Sequence, residues 1–277
     1  MTVRVANGAD GTGEGAAGDG MLARISRAYE HQFLLYRRTW RGSLFNSFLS
    51  PVLFLLAMGV GLGSYVDRGG GALGVSYLAF LAPGLLAATV MQTASFEATF
   101  PVMAGFVWTK RYHAMHSTPL QPRDIALGQL AWTATRITFV GAIFVLVMIP
   151  FGAVHSPLVI LAIPAATLTG LAFAAPIAAY AATQKTMNTF NYIFRFGITP
   201  LFLFSGTFFP IEQLPSFLQP IAWVTPLYHG VALSRSLALG TVASDPVAAL
   251  IHVGVLALFI VAGVVACLLQ FDRRLSK

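Results

Sequence analysis

Two charged side chains stand where charge is costly. Glu97 and Arg136 fall inside otherwise apolar stretches, and an unpaired charge at bilayer depth costs at least about 2.5–3.5 kcal/mol on insertion scales. Glu97 lies toward one end of its stretch and Arg136 about three turns into the next. Consecutive stretches run antiparallel, so the two groups can share one depth and neutralise each other. Such an intramembrane charge pair either specifies the fold or lines a transport path, and the residues alone leave both open.

Other chemistry is sparse. His113 and His116 are spaced i, i+3, with no nearby Cys, Asp or third His to complete a metal site. His31, His155, His229 and His252 are scattered. There is no GxxxxGKS/T phosphate loop and no GxSxG elbow. Ser205-Gly206 by itself is a weak match to an intramembrane serine nucleophile. No catalytic or metal centre is expected, and the chain reads as something other than an enzyme.

The elements that must position these groups are membrane helices. The chain has 277 residues, 56% hydrophobic and only 10% charged, against about 25% charged in a soluble domain. A spanning helix needs about 20 mostly apolar residues. Six stretches qualify: Leu44–Tyr65, Ser76–Ala98, Ile125–Pro150, Pro157–Ala182, Tyr192–Phe209 and Val247–Gln270. The fold class expected is an all-α integral membrane protein, with residues 42–277 forming one six-helix domain. The net charge of +7 then reflects topology rather than nucleic-acid binding. The ten acidic residues lie mostly at ends and loops, against a carboxylate-based proton relay. The single cysteine, Cys267, excludes an intramolecular disulfide.

Orientation follows from the basic residues. One side collects Arg4, Arg24, Arg27, Arg37, Arg38, Arg41, Lys110, Arg111 and Arg123, then Lys185 and Arg195 where the fourth span gives way to the fifth, and finally Arg273, Arg274 and Lys277. That is 14 of the 17 basic residues, with Arg68 and Arg235 opposite. The split predicts both termini in the cytoplasm of a multi-pass plasma (inner) membrane protein.

Residues 1–20 are glycine-rich, poor in bulky apolar side chains, and expected to be a disordered tail without a signal-peptide apolar core. Over 21–41, Leu22, Ile25, Tyr29, Phe33, Tyr36 and Trp40 recur at spacings of three and four. Arg24, Arg27, Arg38 and Arg41 lie elsewhere, which predicts an amphipathic interfacial helix. Gly59 and Gly63 form a GxxxG pair suited to close helix contact, including a dimer contact.

Two connections stand out. Trp108–Ile125 is the longest polar stretch inside the membrane domain, with Pro119 and Pro122 stopping helices and Asp124 able to cap the next. It reads equally as a solvated loop or as a docking element for a cytoplasmic partner. Residues 210–235 are too apolar for a water-exposed loop and too broken for one helix, with Pro210, Pro215, Pro220 and Pro226 at short intervals. A single crossing would put the basic C-terminus outside. The segment is therefore expected to enter and leave one face as short re-entrant helices between spans five and six. His229, beside a break, is expected to bond freed backbone carbonyls.

Three stretches carry a resemblance: SFEATF (95–100), STPLQPRDIALGQLAW (117–132) and FSGTFFPIEQLPSFLQPIAWVTPLYHGVALSR (204–235). From Met21 onward the chain resembles the membrane subunit of type-2 ABC exporters, nearest the branch exporting nodulation lipo-oligosaccharides, with daunorubicin-type drug exporters close by. The resemblance implies a homodimeric permease working with two copies of a separate ABC ATPase. ATP and Mg would belong to that partner, and this chain would bind no cofactor. It implies that 108–125 is the coupling element, with Lys110, Arg111, His113, Ser117, Thr118, Pro119, Leu120, Arg123 and Asp124 its residues. It also implies a lid over the export path formed around Ser205, Gly206, Phe209, Pro210, Leu214, Pro215, Phe217, Pro226 and His229. The cargo expected is an amphiphile: a lipo-oligosaccharide, polysaccharide, glycolipid or hydrophobic drug. An ATPase-independent secondary transporter or channel is the alternative; buried charges or inverted repeats would favour it.

Overall fold

The computed structural model describes residues 20–37, 40–68 and 74–276, so the glycine-rich tail expected to be disordered, except for Gly20, lies outside the described residues, as does Lys277. All regular structure among them is helical. Helix α1 is Met21–Tyr36, and α2 runs over residues 40–68 with a π-helical stretch at Leu55–Leu62. Next come α3 (Tyr77–Val107), the short α4 (Arg111–His116), α5 (Pro122–Met148) and α6 (Val159–Thr183). Residues 188–204 form α7, π-helical at Ile193–Ile198. Helices α8 (Gln219–Val224), α9 (Pro226–Leu239) and α10 (Pro246–Leu275) complete the chain.

Among the described residues five helices are long and apolar enough to cross a membrane: Ser47–Arg68 within α2, then α3, α5, α6 and α10. Helix α7, where the fifth of six spans was expected, rises about 26 Å, slightly less than the roughly 30 Å of a hydrocarbon core. It ends at Phe204 rather than Phe209, because Ser205 leaves the helical range and Gly206 takes φ +79°. Helix α3 continues to Val107, past the expected end at Ala98, with Pro101 accommodated inside it.

Helix α3 is the most enclosed, burying Leu81, Leu85, Leu86, Val90 and Ala94. Alanines at 162, 165, 166, 174, 175 and 178 on α6 are buried against it and its neighbours. By contrast, α10 turns Leu250, Ile251, Leu258 and Val261 outward, the pattern of a helix facing acyl chains. The GxxxG face packs within the chain: a Cβ on Gly59 would lie 2.2 Å from Leu78 Cδ1, and one on Gly63 would lie 3.6 Å from the Tyr77 ring. That close approach lets α2 lie on the start of α3, a use the motif shares equally with a dimer seam.

Candidate functional site

The polar connection after α3 is built onto three other helices. Lys110 adopts a left-handed backbone (φ 50°) that reverses the chain into α4. Helix α5 then starts with Pro122 in its first turn, where a missing N–H costs nothing. The Gln121 N–H donates to Asp124 Oδ2 at 3.1 Å, so Asp124 caps its own helix start. Arg24 of α1 donates through Nε to the same Oδ2 at 2.8 Å, and the Asp124 side chain is fully buried. One carboxylate therefore fastens the N-terminal helix to the connection.

A second junction centres on Arg111. Its Nη2 donates to the Pro101 carbonyl (3.0 Å) and the Tyr112 hydroxyl (2.9 Å), and its Nη1 donates to Gln32 Oε1 (3.1 Å). Tyr112 in turn donates to Gln129 Oε1 at 2.8 Å, and Gln32 donates to that same oxygen. Phe106 and Phe271 enclose the phenol ring. Burial pushes the Tyr112 phenol above its ordinary value, with Arg111 pulling partly the other way, so the hydroxyl remains a donor. Residues from α1, α3, α4 and α5 meet here in a network that is mostly out of water.

The residues expected to form the coupling element divide accordingly. Arg111 and Asp124 turn inward as anchors. Lys110, His113, Ser117, Thr118, Pro119 and Arg123 are exposed, and Leu120 is half-buried. The only carboxylate in 108–125 is the buried Asp124, so the exposed face is positive.

The intramembrane pair lies next to this junction. Arg136 Nη2 donates to Glu97 Oε1 at 3.1 Å, and the side chains are 14% and 16% exposed. The Arg136 guanidinium also lies 4.3 Å from the centre of the Tyr36 ring. Both residues line a groove of about 640 Å³ between α2, α3, α5 and α7, with Thr89, Gln92, Thr93 and Phe194 among its walls. The same two residues line a second hollow of about 370 Å³ together with Gln32, Tyr36, Arg111 and Trp132. The ion pair is thus a partition between the larger groove and the Arg111 junction.

The aromatic stripe of α1 also has a different partner from the one its amphipathicity predicts. Tyr29, Phe33 and Tyr36 pack edge-on around Trp132 of α5, with ring centres 5.7, 6.4 and 5.4 Å away. A stripe read as lipid-facing is, at these rings, packed on protein.

Beyond α7 the chain is broken as its prolines require. Ser205, Gly206 and Leu214 are buried, Phe209 and Pro210 are half-buried, and Pro215 and Phe217 are exposed. A 3-10 turn at Ile211–Gln213 precedes α8. Ile211, Leu214 and Ala222 form a small cluster of their own, with Phe209, Leu218 and Tyr228 packed on it. Pro226 and His229 are buried where α9 begins. His229 Nδ1 lies 2.8 Å from His252 Nδ1 on α10, a partner that the scattered histidines of the sequence did not reveal. Nor did any local signal identify Arg24 as the mate of Asp124, a hundred positions away.

A family model described as "ABC-2 type transporter" matches residues 25–239. Nodulation protein J of Rhizobium leguminosarum bv. viciae is 32% identical over 250 residues, covering 90% of this chain and 94% of that protein. Nodulation protein J of Neorhizobium galegae is 32% identical over 249 residues, with 90% and 93% covered. The inner membrane transport permease YadH of Escherichia coli K12 is 27% identical over 252 residues, with 89% and 93% covered.

Proposed function

This chain belongs to the ABC-2 type transporter membrane family, and from that premise we propose that it is the permease subunit of an ATP-driven exporter of amphiphiles. Two copies form the permease, and each engages a separate ATPase that holds ATP and Mg. The chain crosses the inner membrane six times, α7 serving as the fifth span, with both termini in the cytoplasm. The segment from Pro210 to Arg235 dips into the outer leaflet and returns, as a lid on the path. Non-helical backbone at that depth is tolerated where protein buries it, which fits the buried Ser205, Gly206 and Leu214.

The observation that carries this reading is the two-faced connection after α3. Its exposed surface carries Lys110 and Arg123 with no accessible carboxylate, suited to an acidic groove on a partner. Its inner surface is held through Arg111, Tyr112 and Asp124 to α1, α3 and α5. A push on the outer face is therefore delivered to those helices as a unit, rather than lost in a flexible loop. The Glu97–Arg136 pair lies directly beyond, at the edge of a groove whose walls mix polar side chains with Phe96, Phe194 and Phe202. Such a lining accepts a molecule with a polar head and an apolar body.

The test is to change Pro119 and Leu120 to Asp in the complete permease–ATPase complex. The double variant should still insert and dimerise but lose stimulation of ATP hydrolysis and export. Full association, stimulation and export by that variant would show that coupling runs through another surface.

A further inference from the structure

At the other end of α3 a cation faces a cavity with no carboxylate in contact with it. Arg235 of α9 donates through Nε to the Phe80 carbonyl at 3.0 Å and through Nη2 to the Gly206 carbonyl at 2.8 Å. Its guanidinium carbon stands 3.7 Å from the centre of the Phe80 ring. Among the described residues no carboxylate comes within 4.0 Å of it. A guanidinium has five N–H donors and keeps its charge at any physiological pH. The two carbonyls occupy two of those donors and neutralise nothing.

The backbone is shaped to keep this group in place. Gly206 supplies its carbonyl from a left-handed conformation (φ +79°). A Cβ on Gly84 of α3 would lie 3.1 Å from both Arg235 Nη2 and the Thr207 carbonyl oxygen, so the bare glycine leaves room for them.

The cavity is about 290 Å³ and is lined by Arg235, Glu212, Ser205, Tyr228, Ser236 and Thr241 among others. Glu212 belongs to the 3-10 turn at Ile211–Gln213. Gln219 Nε2 braces that turn, donating to the Leu214 carbonyl at 2.9 Å. Opposite charges thus line one hollow without touching. A simple anion would satisfy Arg235 and be repelled by Glu212, and a simple cation would meet the reverse. A ligand with both charges a few ångströms apart satisfies each, and hydroxyls remain to bond its oxygens. The contact with Phe80, near the start of α3, puts the hollow about 40 Å along that helix from the docking connection. In a spanning helix this is head-group depth on the opposite side.

We propose that this cavity binds a zwitterionic phosphate–amine group, with the phosphate on Arg235 and the ammonium on Glu212. The site is separate from the ATPase-facing surface and from the larger groove, so its test does not depend on the coupling proposal.

The probe is soluble phosphoethanolamine added to the purified full-length chain in detergent at fixed ionic strength, with thermal unfolding as the readout. Phosphoethanolamine should raise the midpoint at about one-tenth of the concentration needed by inorganic phosphate, a factor matching one additional screened charge contact. Ethanolamine alone should do nothing. Glu212→Gln should remove the advantage over phosphate and leave the phosphate response. Arg235→Gln should remove both. Where that variant fails to fold, Ala232→Phe, which fills the cavity and keeps both charges, should abolish the response. In nanodiscs, loss of the soluble response in phosphatidylethanolamine but not in phosphatidylglycerol assigns the group to a lipid; persistence in both assigns it to a soluble or cargo-borne head group. Equal responses to phosphoethanolamine and phosphate in the unaltered protein would overturn the proposal. So would a phosphoethanolamine response that survives Ala232→Phe.

Discussion

At the scale of single residues, paired charge is the main constraint. Glu97 and Arg136 are within hydrogen-bonding distance and only 16% and 14% exposed. Removing one partner of a largely buried pair costs about 3–5 kcal/mol, because the other charge is left uncompensated. Glu97→Gln or Arg136→Gln alone should therefore cut folded yield and export at least severalfold, with the double variant recovering part of the loss. Strictly additive losses in that cycle would mean that the two groups do not interact. Tyr112 supports a gentler prediction. Tyr112→Phe removes one donor to Gln129 and should cost about 1 kcal/mol. The Tyr112 pKa is raised from the ordinary 10.0 in the folded protein, so its contribution is complete below pH 10 and is lost as pH climbs through the raised value. The stability advantage over Tyr112→Phe should therefore hold at neutral pH and shrink as alkaline pH climbs past that point. The need for a partner to Glu97 was legible in the sequence, since an isolated intramembrane charge is intolerable. The Arg24–Asp124 bond was not, because nothing local to either residue refers to the other.

At the scale of elements, small residues decide how closely helices approach. A Cβ on Gly230 of α9 would meet Thr169 Oγ1 at 2.0 Å and Thr169 Cβ at 2.8 Å. Gly230→Ala must push α9 away from α6, and overpacking of this kind costs about 1–3 kcal/mol. Gly254 on α10 has nothing within 4 Å of such an atom, so Gly254→Ala should leave the melting temperature in detergent unchanged. Equal effects of the two substitutions would contradict this packing. The same logic explains what the motif pattern could and could not say. GxxxG announces a close contact, and whether Gly59 meets Leu78 or a second copy depends on where α3 begins in space. The aromatic stripe of α1 is a similar case: periodicity put Tyr29, Phe33 and Tyr36 on one face, while the position of Trp132 turned that face toward protein.

For the whole molecule, the proposed six-span topology has a direct check. The single native cysteine, Cys267, is buried, so the chain offers a quiet background for labelling. In intact cells Arg68→Cys should react with an impermeant reagent, while His113→Cys and Arg274→Cys should react only after permeabilisation; labelling of His113→Cys in intact cells would reverse the topology. The sequence by itself determined the helical membrane class, the positions of five long candidate spans to within a few residues except at the far ends of α3 and α10, and the interruption after α7. Each of these follows from properties carried by consecutive residues: apolar length, and prolines that remove backbone donors. Only the tertiary structure decided which face of each helix is inside. It turned Arg111 and Asp124 inward, set Glu97 and Arg136 between two hollows, brought His229 to His252, and placed Arg235 and Glu212 in the lining of one cavity. Those outcomes depend on distances between residues far apart in the chain, and such distances are set by how the helices pack rather than by any repeat along one of them.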